Sequence, residues 1–477
     1  MTMKLTAEEP SAVYKVQRER VGVPFVRLGE VAEVKAGFGF PEYLQGKTTG
    51  NYPFYKVGDI SSAWKANQVG LVGANHYVDE ADLATLKARP LPTGTIVFAK
   101  IGAAIGLNRL CVLTKPSLVD NNVFGLIPNA RTADTRYLFQ FMCSVDLMPL
   151  ARATTVPSLR KGDVEELLLP MPSLERQRQI ADYLDEQLSR LDASVAALLR
   201  AQANLKRYRA SVLEAACEGR LVPTEAELAR AEGRTFETGA ELLQRILAER
   251  REGNGMRKEP TEPEVNNLPT LPDGWAWANM QQLALVSGGL TKNPKRETLP
   301  TKLPYLRVAN VYANELRLDQ IEHIGVAPAE LNKLLLVKDD LLVVEGNGSP
   351  DQIGRVALWN GSIAPCVHQN HLIKVRLRGA EPRWVLNWLL SPQGRNQIER
   401  VTSSTSGLHT LSTGKVSALR VPLPPLPEQH RIVAEADRRL SLIRGAEAQV
   451  RANLARAKRL RQSILQAAFA QPGSAGQ

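Results

Sequence analysis

The sequence predicts an α+β protein in which two similar β-rich domains are separated by two long α-helices. The helices pair as an antiparallel coiled coil, and the whole is pseudo-two-fold symmetric. Three observations carry this expectation. Residues 170–219 and 422–471 align without a gap at an offset of 252 and share 17 identities in 50 positions. Both stretches keep a sustained three-and-four spacing of apolar residues. Each follows a region of different texture, 23–172 and 273–424, made of short apolar runs broken by Gly and Asn. An internal repeat of this size sets the whole architecture.

In chain order, residues 1–22 are polar and read as a flexible N-terminal arm. The first domain, 23–172, has strand-like runs at Val31–Val34, Pro53–Val57, Thr95–Ala99, Leu110–Leu113 and Val123–Ile127. Gly37, Gly58, Gly94, Gly102, Gly106 and Asn121-Asn122 supply turns between them. A helix is predicted over Thr135–Ser144. A central helical spacer region, 173–252, opens after Pro170 and Pro172, residues that suit a helix start but not its interior. Its apolar stripe runs through Ile180, Leu184, Leu188, Leu191, Val195, Leu198, Leu205 and Val212 and demands a partner helix. Such a helix would span roughly 65 Å, longer than a globular domain requires. A second helix is predicted over Thr238–Arg251.

Residues 253–272 are rich in Pro, Gly and Asn and read as a linker. The second domain, 273–424, then repeats the first. Leu28, Val31, Val34 and Gly37 answer to Met280, Leu283, Val286 and Gly289. GTIVFAKIG (94–102) aligns with DLLVVEGNG (340–348), and Asn122 with Asn370. The C-terminal spacer helix, 425–470, carries the matching stripe Ile432, Ala436, Leu440, Ile443, Val450, Leu454 and Leu460, and 471–477 form a tail.

The net charge of +11 and a pI near 9.5 point to a polyanionic partner. Hydrophobic content of 44% and charged content of 23% are those of a globular protein. Neither an eighteen-residue apolar run nor an apolar signal core is present, so a cytoplasmic location without membrane contact is expected. Cys111, Cys143, Cys217 and Cys366 are scattered without CxxC spacing, which argues against disulfides and structural zinc.

The segment leading into each long helix, Ser158–Ile180 and again Thr410–Ile432, resembles the specificity subunit of type I restriction-modification systems. Gly219–Pro223 and Glu241–Arg250 resemble that family's central region, and the likeness covers about 23–470. Gly414-Lys415 in place of Gly162-Asp163, and Pro427 in place of Glu175, are departures. The resemblance implies a non-catalytic DNA-binding subunit without a cofactor. Each β-rich domain would be a target-recognition domain contacting one half of a bipartite, asymmetric site on double-stranded DNA. The helix pair would set the distance between the halves. Partners would be an adenine-N6 methyltransferase subunit in two copies and a restriction/translocase subunit. Partner contacts are expected at Gln177 and Ile180, and at their equivalents Gln429 and Ile432.

No catalytic constellation is present in the sequence. Gly46-Lys47-Thr48 lacks the first glycine of a phosphate loop, since Pro41 stands there. The only Asn-Pro pair, Asn293-Pro294, continues into Lys295 rather than the Pro-aromatic of an adenine methyltransferase. Cys366, His368 and His371 have metal-like spacing but no fourth ligand, so no metal is expected.

For DNA, basic and amide residues beside glycine-rich turns are the candidates, because backbone can approach phosphate there. They are Lys56, Lys100, Asn108, Arg109, Asn121, Asn122 and Lys161 in the first domain. In the second they are Arg307, Asn347, Arg355, His368, Gln369, Asn370 and Lys415. Asn370 and Gln369 have the side chains that read adenine bidentately. Basic residues recur at one phase of the two helices, among them Arg209 and Arg461, and imply phosphate contact or ion pairs to a partner. Competing readings are a type II restriction-modification specificity subunit and a coiled-coil adaptor with two protein-binding modules.

Overall fold

The computed structural model describes residues 23–152, 155–252, 261–263, 268–346, 352–402 and 410–469. The expected arm 1–22, most of the 253–272 linker and the 471–477 tail lie outside the described residues. The chain divides into two compact units, Met1–Leu199 with Arg451–Gln477, and Arg200–Val450. Each unit holds one β-rich domain, one end of the first long helix and the opposite end of the second.

Both long helices form as the apolar spacing requires, over Leu174–Cys217 and Leu426–Phe469, 44 residues each. Their segments run antiparallel within each unit. In the first unit Arg461 bonds Asp192, while Ile464, Ala468 and Phe469 join the core that contains Ile180, Ala181 and Leu184. In the second unit Arg209 Nη2 donates to Glu447 Oε2 at 2.8 Å, while Arg431 Nη2 reaches Pro223 O at 3.4 Å. Arg209 and Arg461 are equivalent residues of the repeat. Each holds the two helices together and so is not available for the external role the sequence pattern had implied.

The first domain contains a five-stranded sheet in the spatial order Ala32–Ala36, Val123–Pro128, Ile96–Ala99, Leu110–Leu113, Gly70–Leu71. A three-stranded sheet beside it orders Tyr77–Val78, Tyr52–Tyr55, Leu118–Val119. Ile96, Val97 and Phe98 are all buried, as a strand covered on both faces must be. The second domain repeats the plan. Ala284–Ser287, Leu372–Leu377, Leu341–Val344 and Val356–Leu358 form one sheet, and Glu322–Gly325, Lys302–Leu306 and Val367–His368 the other.

Strand pairing corrects the sequence alignment by one residue. Phe54 and Tyr55 pair in parallel with Leu118 and Val119, and Tyr305 and Leu306 with Val367 and His368. His368 therefore stands where the first domain has Val119, and His371 where it has Asn122. The Lys100 amide donates to Asn122 O at 2.8 Å and the Glu345 amide to His371 O at 3.0 Å, so Lys100 answers to Glu345. A one-residue slip in a strand turns a side chain to the opposite face. Gly37 and Gly289 hold the crossing of the two sheets in each domain. A Cβ at Gly37 would lie 2.0 Å from Asp120 O, and one at Gly289 2.1 Å from His368 O.

Helices Glu225–Glu232 and Gly239–Glu252 belong to the second unit, where Leu242, Ile246, Met280 and Ile432 share one core. Glu428, fully buried, fastens this segment. It accepts from Trp275 Nε1 at 2.9 Å and from the Glu225 amide at 2.8 Å. Glu225 in turn pairs with Arg431 at 2.6 Å and Arg234 at 2.7 Å. Burial raises the Glu428 carboxyl above its ordinary range; at Glu225 burial acts the same way, but Arg431 and Arg234 outweigh it and hold that carboxyl low. The Pro427 departure thus moves the acid one place along, to where it can tie the central segment down.

Candidate nucleic-acid interface

In the first domain, backbone bonds gather four segments at one end of the sheets. Lys100 N bonds Asn122 O, Leu159 N bonds Lys100 O at 2.9 Å, Gly102 N bonds Pro157 O at 2.7 Å, and Asp120 N bonds Tyr55 O at 3.0 Å. Lys56, Lys100, Asn121 and Asn122 come together there, and Lys161 follows two residues after Leu159. Lys56 Nζ donates to Gln45 Oε1 at 2.6 Å and sits 5.4 Å from the Phe40 ring centroid. Lys100 Nζ lies 5.3 Å from the Phe124 ring centroid. Asn121 is exposed, and the Asn122 amide closes a turn on Asp120 Oδ1 at 2.9 Å. Lys161 is exposed beside Glu165, 3.4 Å away. Arg109 is half-buried ahead of the 110–113 strand.

The second domain builds the same end. Glu345 N bonds His371 O, Leu411 N bonds Glu345 O at 2.7 Å, and Gln369 N bonds Leu306 O at 2.9 Å. Arg307, Gln369, Asn370 and Lys415 gather there. Arg307 Nη1 donates to Glu322 Oε1 at 2.5 Å, Gln369 Oε1 accepts from the Val308 amide at 3.3 Å, and Lys415 Nζ donates to Thr410 O at 2.9 Å. Asn370 Nδ2 lies 3.4 Å from His371 Nε2. Lys56 and Arg307 are equivalent, each preceding a short helix on the strand 52–55 or 302–306. Asn347 lies outside the described residues.

Three of the expected contacts have other work. Asn108 adopts a left-handed conformation, and its Nδ2 donates to Met142, Cys143 and Val145 carbonyls, capping the end of helix Thr135–Ser144. Arg355 is buried, its guanidinium 4.7 Å from the Tyr312 ring and bonded to Gln352 and Val308. His368 is fully buried, with Nδ1 against Leu372 O at 2.9 Å. None of the three presents a free edge to DNA.

The expected partner contacts are also internal. Gln177 and Gln429 are buried at the head of each long helix. Gln177 Oε1 accepts from the Asp134 amide at 2.9 Å while its Nε2 donates to Thr132 O and Pro172 O. Gln429 Oε1 accepts from the Glu381 amide at 2.9 Å while its Nε2 donates to Pro424 O at 2.8 Å. Asp134 and Glu381 are the N-caps of helices Thr135–Ser144 and Pro382–Leu390. Each glutamine therefore bolts a long helix to the last helix of its own domain, and Arg136–Asp182 (2.7 Å) and Arg383–Asp437 brace the joint. Ile180 and Ile432 are core residues.

The family described as "Type I restriction modification DNA specificity domain" matches this chain twice, over 20–198 and 272–441. The chain belongs to that family. The EcoKI specificity subunit of Escherichia coli (strain K12) is 28% identical over 331 residues, covering 67% of this chain and 61% of that protein. The EcoBI subunit of Escherichia coli is 22% identical over 459 residues, covering 93% of this chain and 85% of its own length. The matched regions span 61%, 60% and 65% of the EcoKI, StySPI and EcoDI subunits, under two thirds of each. In fold, the specificity-domain chain is similar to a chain from the work described as "Structural basis underlying complex assembly and conformational transition of the type I R-M system". The TM-score is 0.62 at 19% identity, covering 94% of this chain and 98% of that one. The HsdS subunit from Thermoanaerobacter tengcongensis gives a TM-score of 0.50 at 18% identity, covering 94% and 96%. Among the described residues of this family member, no helix is long and apolar enough to cross a membrane.

Glu345 stands at this end too, in the place Lys100 holds in the first domain, whereas the sequence alignment sets Gly346 against Lys100. Replacing Gln177 or Gln429 with Ala leaves the Asp134 or Glu381 amide unpaired. Each should cost about 2–4 kcal/mol of stability in urea unfolding, whereas Lys161→Ala should cost none. Burial lowers the His368 imidazole to about 4, so it is neutral in the folded protein, while the unfolded chain titrates near 6.5. The unfolded state thus takes up the proton first, and stability present above pH 6.5 is lost as pH falls towards 4, by on the order of 3 kcal/mol. His368→Val, the residue of the first domain, should remove that part of the acid sensitivity when unfolding is measured from pH 7 to 4.

Proposed function

We propose that this chain is the sequence-specific DNA-recognition subunit of a type I restriction-modification complex, reading a bipartite, asymmetric site on double-stranded DNA. The observation that carries the reading is the specificity-domain family occurring twice in one chain, with a shared frame and different residues at the gathered loop ends. A duplicated reader acts as a pseudo-dimer, and dimeric readers engage half-sites about a helical turn apart. Lys56, Lys100, Arg109, Asn121, Asn122 and Lys161 serve one half-site, and Arg307, Gln369, Asn370 and Lys415 the other. Lys100 and the amides contact base edges, and the other lysines and arginines contact phosphate. The chain is a non-catalytic cytoplasmic reader and scaffold, and the paired helices act as the ruler between the half-sites.

An adenine-N6 methyltransferase subunit docks on the helices in two copies, and a restriction/translocase subunit joins the assembly. With Gln177, Ile180, Gln429 and Ile432 internal, Tyr208 and Leu460 take over as docking residues. They are equivalent positions of the repeat and remain 50% and 48% exposed on the helices. Two exposed apolar side chains at matching places suit two copies of one partner.

The reading is tested by coexpressing the chain with its methyltransferase and mapping N6-methyladenine across the host genome. A split motif with two defined halves and a fixed gap is expected. Inserting two helical turns into both long helices should lengthen the gap and leave the bases of each half unchanged; a change in the bases would overturn the ruler. Tyr208→Asp together with Leu460→Asp should abolish co-purification of the methyltransferase, with urea unfolding unaltered.

A further inference from the structure

We infer that Glu345 and His371 form a base-reading pair in the second domain, at the place where the first domain presents Lys100 and Asn122. The inference rests on the DNA-recognition reading above and deepens it, because it assigns the chemistry by which the two half-sites differ.

The equivalence is fixed by backbone bonds rather than by alignment. In one domain Lys100 N bonds Asn122 O and Leu159 N bonds Lys100 O; in the other Glu345 N bonds His371 O and Leu411 N bonds Glu345 O. The same frame therefore carries a cation and an amide in one copy, and a carboxylate and an imidazole in the other. His371 Nδ1 lies 3.0 Å from Glu345 Oε2, and the side chains are 55% and 29% exposed. The imidazole is thus held by the carboxylate but still faces outward, and the carboxylate keeps capacity for a second donor, since each of its oxygens can accept more than once.

Charge decides what such a pair can do. DNA binding is driven by neutralising phosphates, and a carboxylate at the contact end of a chain with net charge +11 opposes that term. An acid there cannot serve the backbone. What it can do is accept a hydrogen bond from an exocyclic amino group, the cytosine N4 donor in the major groove. Lys100 has the opposite preference, for the guanine O6 and N7 acceptors, and Asn122 suits adenine. The two half-sites should accordingly differ in kind: an acceptor-rich base edge opposite Lys100, and an amino-bearing edge opposite Glu345. The buried neighbour His368 takes no part, because its side chain points into the core.

The test uses the full chain with its methyltransferase and a selection of bound duplexes from a randomised pool, comparing wild type, Glu345→Gln and His371→Asn. Both substitutions are near in size, at one exposed and one half-buried position; unfolding curves that coincide with wild type show that each variant is folded. The expected result is about a tenfold relaxation at one or two adjacent positions of a single half-site in Glu345→Gln, with the other half-site and the gap unchanged. His371→Asn should relax the same positions. A wild-type motif retained in both variants overturns this pair and leaves the DNA-recognition reading standing. A uniform rise or fall in affinity for all sequences assigns Glu345 to the phosphate field and also overturns it. A wild-type protein that selects no motif overturns the pair and the recognition reading together.

Discussion

The buried glutamine at the head of each long helix is the constraint on which the rest depends. A β-rich domain joined to its helix only by the chain could turn freely about that junction. Gln177 and Gln429 remove that freedom by bonding the backbone amide that also begins the neighbouring helix. A side-chain amide in a dry joint is held by the cost of leaving it unpaired, which is larger than the net gain from making the bond. The joint is therefore stiff because no half-made alternative exists. The cross-pairs Arg209–Glu447 and Arg461–Asp192 add register between helices, but they are surface-facing and weaker.

Much of the architecture was legible in the repeat. Two gapless copies of a helix-leading segment, each after a Gly-punctuated domain, are enough to give the α+β plan and the helix limits. The outward side chains of the loop ends were less legible, for a physical reason. Side chains in a strand alternate between faces, so an alignment that is one residue out exchanges inside and outside. That happened at 368–371, where His368 proved to be core and His371 the outward residue. Asn108 shows a second limit: an amide next to a turn can satisfy a helix end as readily as a base, and spacing does not distinguish them.

The motif glutamines illustrate the opposite error. Residues that mark a family by pattern are easily taken for contact residues, yet Gln177, Ile180, Gln429 and Ile432 recur because both copies need the same joint. The copies differ instead at the gathered loop ends, where one backbone frame holds Lys100 and Asn122 in the first domain and Glu345 and His371 in the second. Glu428, displaced by one from its counterpart's position, shows how a departure from the pattern can record a task that only one copy has: fastening the segment 225–252 through Trp275 and Glu225.

The division of the chain also sets an order of events during synthesis. The second unit is built from one continuous span, Arg200–Val450, whereas the first needs Arg451–Gln477 as well. Phe469 stacks edge-on against Tyr137 and Phe141, at 5.2 and 5.6 Å between ring centres, inside the core of the domain that is translated before the second repeat. That domain must wait, with its apolar seam open, while the entire second repeat is translated and folded. Non-local closure of this kind is slow and leaves surface exposed to misassembly. The first of the two repeats to be translated is thus the last to be finished, and a chain cut short before residue 464 would leave that repeat's core without Ile464, Ala468 and Phe469.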